Sequence, residues 1–162
     1  MTFLAIFPLV LYFFTEAKTR KLLTLSGLFL LVMIAVQFLP RLWLPDQIRP
    51  NELVENPLFF DSNLSHRIGT GLVVLLHYLT QLTINPANMA FYYGFDMFPV
   101  VPITNPIALF SLAIHLSLLA VAIWQFRQKS TVSFAILFYL ITISMYSNIV
   151  VPVVGIAADL LS

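Results

Sequence analysis

The chain has 162 residues, of which 60% are hydrophobic and only 9% charged, and its formal net charge is +1. An ordinary soluble domain is about 25% charged, so this chain has too few charges to cover itself with a solvated surface. The composition excludes a soluble globular enzyme and a disordered chain, and the charge indicates no nucleic-acid partner. The absence of cysteine excludes disulfides, thiolate metal sites and cysteine nucleophiles. An integral membrane protein remains.

Apolar runs alternate with polar segments along the chain. A membrane span needs about 20 residues, so Leu22–Leu39, Ile107–Phe126 and Val132–Val151 are full-length candidates, whereas Thr2–Phe14 is short. The run Ile68–Ile84 is interrupted by glycine and polar residues. These runs predict four transmembrane helices and one helix of a different kind.

The two connecting stretches in the middle of the chain differ in character. Arg41–Arg67 is the one long polar stretch, and Ser62 and Ser65 near its end are candidate N-caps for the next helix. Asn85–Pro106 is rich in proline and irregular without being hydrophilic. The chain is therefore divided into two N-terminal membrane helices (1–39), a non-cytoplasmic loop with the unusual helix (40–106), and two C-terminal membrane helices (107–162).

Basic residues predict the orientation in the membrane. The turns Lys18–Lys21 and Arg127–Lys129 should both be cytoplasmic, which places both ends of Pro40–Pro106 on the outer side. Ile68–Ile84 is then a re-entrant or partial helix, because Asn85–Pro106 cannot supply a return crossing; the alternative is an ordinary span. The predicted fold is an all-α integral membrane protein with four transmembrane helices, one re-entrant or partial helix and a long non-cytoplasmic loop.

Charged residues at the junction of polar and apolar sequence are the first candidates for chemistry. A cation at His66 or Arg67 lies at headgroup depth, and the planar fork of arginine suits a phosphate; alternatively both side chains are interface anchors that snorkel. Asp61 lies in the adjoining loop. It could act as a general base, although an acid in a loop is commonly only solvated.

Polar pairs inside apolar runs are the second group. His77 and Gln81 share one helical face, where they either bind a sugar hydroxyl or phosphate or hydrogen-bond a neighbouring helix. For Ser111 and His115, bonding between helices is the favoured interpretation. The aromatic tract that contains Tyr92, Tyr93 and Asp96 has two interpretations, an interface belt or the lining of a sugar or prenyl site.

An ordered set of short motifs covers roughly Glu55–Asp159. It comprises Asn56-Pro57-Leu58, Arg67, Leu76-His77-Tyr78-Leu79, Pro86, Met89, the tract Tyr92–Pro99, and the stretch that begins at Ser147-Asn148. In order and spacing, this set resembles a segment of the transmembrane-and-tetratricopeptide-repeat proteins and their bacterial relatives. No single motif in it is specific.

The resemblance implies part of a GT-C-type membrane glycosyltransferase, a class that moves a sugar from a polyprenyl-phosphate carrier to a protein or other acceptor at the outer or lumenal face. Eukaryotic relatives are O-mannosyltransferases. His66 and Arg67 would bind the donor phosphate, and Asp61 is the best local candidate for the catalytic base. The sugar or acceptor groove would be formed by Tyr92, Tyr93, Asp96, His77, Asn148 and Asp159. The class admits a divalent metal, but the sequence shows no ligand cluster, so no cofactor is expected.

Departures from the family pattern qualify this expectation. The catalytic acid of the first outer loop and the helical repeats are missing, Tyr92 stands where many relatives have aspartate, and Leu160 follows Asp159 where an arginine is usual. We therefore expect a partial chain, inactive alone, of a larger multi-pass transferase in a lipid bilayer, the bacterial inner membrane. The alternative is a non-enzymatic membrane protein, either a transporter subunit or an assembly partner.

Overall fold

Helices account for all the regular structure in the part of the chain that the structure describes. This structure, a computed structural model, describes residues 3–16, 18–39, 56–84, 98–144 and 146–149. The helices are α1 (Phe3–Phe14), α2 (Thr19–Phe38), α3 (Leu64–Thr83), α4 (Pro106–Phe126) and α5 (Thr131–Ser144), and a 3₁₀ helix covers Pro57–Phe59.

The prediction of four transmembrane helices plus a re-entrant helix is wrong. Among the described residues one helix, α4, is long and apolar enough to span a membrane. An α-helix rises about 1.5 Å per residue. The 12 residues of α1 and the 14 of α5 therefore fall short of a hydrocarbon core about 30 Å thick.

The helices α2 and α3 have the length of a span, and both carry charged residues in their first turns. Arg20 and Lys21 occupy the first turn of α2, so its apolar part is shorter than the helix. The helix α3 begins at Leu64, four residues before the predicted apolar run, and therefore includes His66 and Arg67. Charged residues are costly inside a bilayer, so the first turn of each helix is unsuited to its hydrocarbon core.

The last helix ends well before the predicted boundary at Val151. α5 stops at Ser144, and the residues described beyond it form a turn with Asn148 at φ 59°. The Ser147 hydroxyl donates to the Ser144 carbonyl oxygen (2.7 Å) and accepts from the Ile149 N–H (3.2 Å). These local bonds offer the backbone an alternative to helical hydrogen bonding, which explains the early end.

The chain forms two compact units, and α4 and α5 contribute residues to both. Unit 1 consists of residues 1–49 and 119–141 and unit 2 of residues 50–118 and 142–162. In unit 1 the Tyr12 ring stacks on the Phe126 ring at 4.8 Å, and the Phe13 ring contacts the Phe126 and Phe134 rings. The ammonium of Lys129 lies 5.2 Å from the centre of the Tyr12 ring. Aromatic packing thus stabilises unit 1.

The helix α3 is the centre of unit 2. Its buried apolar residues Leu72 and Leu75 pack with Ala108 of α4, and the partly buried Ile143 and Ile149 complete the cluster. The Ser111 hydroxyl of α4 also donates to the Leu72 carbonyl oxygen at 2.5 Å. Apolar burial and one directional bond therefore fix α4 against α3.

Two glycines allow backbone segments to approach α3 closely. A Cβ at Gly69 would come within 3.0 Å of backbone atoms of Val101 and Pro102, and a Cβ at Gly71 would come equally close to the Ser147 carbonyl oxygen. The sequence before α4 and the turn after α5 are both seated on α3 in this way.

We expect Gly69→Ala and Gly71→Ala each to destabilise the protein by about 1–3 kcal/mol, because the added methyl group has to displace backbone. Thermal unfolding in detergent measures the effect. Gly27→Ala is the matched control, since nothing lies within 4 Å of a Cβ there and alanine favours the α2 helix. Equal stability of the three variants would contradict the close approach.

Candidate functional site

The loop before α3 is fixed by side chains that bond to backbone. Asp61 Oδ1 accepts from the Asn63 N–H at 2.8 Å, and Asn63 Oδ1 accepts from the Ser65 N–H at 3.0 Å. Asn63 is therefore the N-cap of α3, and the prediction that Ser62 or Ser65 takes this position is wrong. These two bonds fold the loop so that the Asp61 side chain lies at the start of α3.

Asp61 and His66 form a close pair at this helix start. His66 Nδ1 lies 2.6 Å from Asp61 Oδ2, and the two side chains are 36% and 28% exposed. The hydrogen bond from the Asn63 N–H, followed by the contact with His66, lowers the pKa of Asp61 below its usual range. The ionised carboxylate therefore stabilises the fold above about pH 4, and this stability is lost as the pH falls through the lower native pKa.

Arg67 lies in the first turn of α3, beside this pair. Its Nε donates to the Asn148 carbonyl oxygen at 3.0 Å. The N-terminus of a helix carries a partial positive charge, so a cation in the first turn is electrostatically unfavourable. A helix start that carries both an arginine and a histidine is correspondingly attractive to an anion.

Asn148 connects Arg67 to Asn56, the residue before the 3₁₀ helix. Asn148 Oδ1 accepts from Asn56 Nδ2 at 2.8 Å, and the two residues are 1% and 0% exposed. Asn56 Oδ1 also accepts from the Leu58 N–H at 3.0 Å and caps the 3₁₀ helix. Two buried amides that satisfy each other fix residues 92 positions apart in the sequence.

Two further bonds tie the start of α3 to the start of α4. The Ile103 N–H donates to Ser65 Oγ at 3.1 Å, and the Val101 N–H donates to Thr70 Oγ1 at 3.0 Å. Ile103 lies three residues before α4 begins at Pro106. The first turn of α3, with Arg67, is therefore positioned next to the N-terminal end of α4, the one helix among the described residues that is both long and apolar enough to span a membrane.

The structure brings together four of the site residues suggested by the sequence: Asp61, His66, Arg67 and Asn148. His77 lies ten residues beyond Arg67 in α3, about 15 Å along the axis, and its ring packs edge-on against Phe98 at 5.0 Å. Burial lowers the pKa of His77. The other predicted groove residues, Tyr92, Tyr93, Asp96 and Asp159, lie outside the described residues.

The polar pair in α4 is structural in part. Ser111 donates to α3, which confirms its predicted bond between helices. His115 Nδ1 contacts the Ser111 carbonyl oxygen (2.8 Å) and Oγ (3.3 Å) within its own helix.

Sequence reasoning missed Asn56 as part of the site, although an asparagine before a proline is a helix N-cap signal.

No group of three or more histidine, cysteine or acidic side chains that could hold a metal ion occurs among the residues that the structure describes.

Comparison of the chain with protein-family models, curated proteins and solved structures gives no match. The resemblance to the transmembrane-and-tetratricopeptide-repeat proteins therefore stays a prediction that rests on the order of the motifs.

We expect neutral His66 to carry its proton on Nδ1, because an ionised carboxylate can only accept a hydrogen bond. Nitrogen NMR of histidine-labelled protein reports the tautomer of the neutral ring. Asp61→Ala should release the ring to a mixture of tautomers, whereas Ser62→Ala at the exposed neighbouring position should not. A proton on Nε2 in the unmodified protein would contradict the pairing.

Proposed function

We propose that this chain forms the donor-binding part of a GT-C-type membrane glycosyltransferase whose sugar donor is linked to a polyprenyl phosphate. The observation that carries the proposal is the group Asp61, His66 and Arg67 at the start of α3, next to the start of α4. It combines a cation for a phosphate with an acid–imidazole pair for proton transfer.

The membrane placement rests on α4. Only 22% of the most apolar stretch of α4 is buried within the chain, whereas the core helix of a soluble protein would be mostly buried. Large apolar side chains are exposed at successive positions around it: Ile107, Leu109, Phe110, Leu116, Leu119, Val121, Ile123 and Trp124. We infer that α4 crosses a bacterial inner membrane, with Arg127 and Lys129 on the cytoplasmic side and Pro106 at the outer face.

The phosphate assignment follows from the depth of Arg67. The bond between Ser65 and Ile103 ties the start of α3 to the sequence just before Pro106. In a membrane crossed by α4, this end lies at headgroup depth, where the phosphate of a polyprenyl carrier lies. A guanidinium matches phosphate oxygens in geometry and charge, and the partial positive charge of the helix start adds to the attraction.

The proton assignment revises the role of Asp61. Its carboxylate already accepts two hydrogen bonds and its pKa is lowered, so it is a weak base. With Nδ1 held by Asp61, the neutral His66 ring presents Nε2 as an acceptor for a proton. His66 is thus the proposed base and Asp61 its positioning residue.

The proposed transfer balances without a further reactant. The acceptor hydroxyl oxygen attacks the anomeric carbon of the donor sugar, and its proton passes to His66 Nε2. The bond from the anomeric carbon to the phosphate oxygen breaks, and its electron pair leaves with the polyprenyl phosphate. Arg67 stabilises the negative charge that develops on this leaving group.

We expect Leu116→Arg to reduce membrane insertion, because Leu116 is at the midpoint of α4 and a central arginine costs about 2.5–3.5 kcal/mol. Protease protection in inner-membrane vesicles measures insertion. Gln128→Arg adds the same charge in the exposed turn after α4 and should insert normally. Equal insertion of the two variants would show that α4 does not cross.

We expect Arg67→Ala to weaken phosphate-dependent binding of a polyprenyl ligand by roughly 10–100-fold, the loss associated with one charged hydrogen bond of about 1.5–3 kcal/mol. The protein is reconstituted in phosphatidylcholine nanodiscs, and its retention of labelled farnesyl phosphate is compared with that of farnesol. Arg127→Ala is the matched control, since it removes one exposed cation from the turn after α4.

The outcomes separate the two candidate classes of function. Weaker binding of farnesyl phosphate by the Arg67 variant alone supports the donor site. An equal loss of farnesyl phosphate binding in both variants would show that any cation of the chain attracts the phosphate and that Arg67 has no specific role. Equal retention of farnesyl phosphate and farnesol by the unmodified protein would overturn the donor site and favour a non-enzymatic membrane protein.

A further inference from the structure

The buried amide pair Asn56–Asn148 is fixed in one orientation by its hydrogen bonds. Asn56 Oδ1 accepts from the Leu58 N–H and Asn56 Nδ2 donates to Asn148 Oδ1, so both ends of the Asn56 amide are committed. Only one orientation of this amide satisfies both bonds, because its oxygen cannot donate and its nitrogen cannot accept. The pair therefore has a defined direction from the 3₁₀ helix to Asn148.

Asn148 adopts a backbone conformation that aims its carbonyl at Arg67. Its φ of 59° lies in the left-handed region, which asparagine tolerates better than most residues with a side chain. The Asn148 carbonyl oxygen accepts from Arg67 Nε at 3.0 Å. The same turn is held on α3 by the close approach of Ser147 to Gly71, one helical turn beyond Arg67.

We infer that Asn56 and Asn148 are positioning residues for Arg67 in binding of the donor phosphate. By fixing Nε, the Asn148 carbonyl sets the plane of the guanidinium, and with it the direction of the other donors that a phosphodiester would meet. Asn56 fixes that carbonyl through the amide bridge. This inference rests on the proposed function, and it replaces direct sugar contact by Asn148, whose buried side chain faces Asn56.

The testing variants change the bridge while sparing what surrounds it. Asn56→Asp keeps an oxygen to cap the Leu58 N–H but loses the Nδ2 donor to Asn148. Asn148→Gly keeps the backbone carbonyl and tolerates the positive φ but loses the amide oxygen. Ser133→Ala is the control, because Ser133 is equally buried and its hydroxyl donates to the Ala122 carbonyl oxygen, outside the turn that holds Asn148.

We expect Asn56→Asp and Asn148→Gly each to weaken retention of farnesyl phosphate about three- to tenfold, with retention of farnesol unchanged, because a misoriented guanidinium loses part of its charged hydrogen bonding. Ser133→Ala should bind as the unmodified protein does. Nitrogen NMR of the Arg67 Nε–H should show faster exchange with water in both bridge variants. This readout reports the position of the guanidinium rather than the stability of the fold.

A second arm tests whether the bridge acts through Nε. Arg67→Lys keeps the positive charge without the planar fork. In the Arg67→Lys background, Asn56→Asp should cause no further loss of farnesyl phosphate retention. An equal loss in both backgrounds, or slow Nε–H exchange in both bridge variants, would overturn the positioning role. If Asn56→Asp does not fold, the same comparison is made with Asn148→Gly.

The failure of this inference is distinguishable from failure of the proposed function. Normal binding by both bridge variants, together with loss of binding in Arg67→Ala, would overturn the positioning role alone. Normal binding by Arg67→Ala would overturn the donor site itself.

Discussion

The close approach of two backbone segments to α3 is the constraint on which the rest of unit 2 depends. At Gly69 and Gly71 the helix has no Cβ, and the segments at 101–102 and 147–149 fill that space. The 3.0 Å bond from Arg67 to Asn148 needs this proximity, and so do the bonds from Ser65 and Thr70 to the sequence before α4. A larger residue at either glycine would push a whole segment away, because backbone cannot yield as a flexible side chain does.

Hydrogen bonds from buried polar side chains set the register that apolar packing alone would leave loose. Burial of Leu72 and Leu75 stabilises α3 against α4 but is not directional. The Ser111 hydroxyl on the Leu72 carbonyl selects one register of these two helices. The Asn56–Asn148 bridge does the same for the ends of unit 2, and an unpaired amide at either position would be costly in so apolar a chain. The candidate site is therefore built on contacts that are both buried and specific.

Apolar runs predicted the helices to different degrees, and the differences have physical causes. Ile107–Phe126 agrees with α4 to within one residue, because Pro106 favours the first helical position. The apolar run that begins at Ile68 placed the start of α3 too late, because the true start is determined by the Asn63 cap. The apolar run to Val151 placed the end of α5 too late, since the local hydrogen bonds of Ser147 compete with helical hydrogen bonds. A run counts apolar residues, whereas helix length depends on such caps and competing bonds, so the number of spans was overestimated.

The sequence by itself determined the helical class of the described residues, the apolar run that forms α4 and the cations at the junction of polar and apolar sequence. The pairing of Asp61 with His66 also depends on nearby sequence, because the two residues lie five positions apart with the N-cap Asn63 between them. Only the tertiary structure decided that Arg67 meets Asn148 and that Asn56 fixes Asn148. These residues lie 81 and 92 positions apart. Local patterns report which face of a helix is apolar, but contacts between distant residues depend on how closely the backbones pack, and here the two glycines of α3 determine that distance.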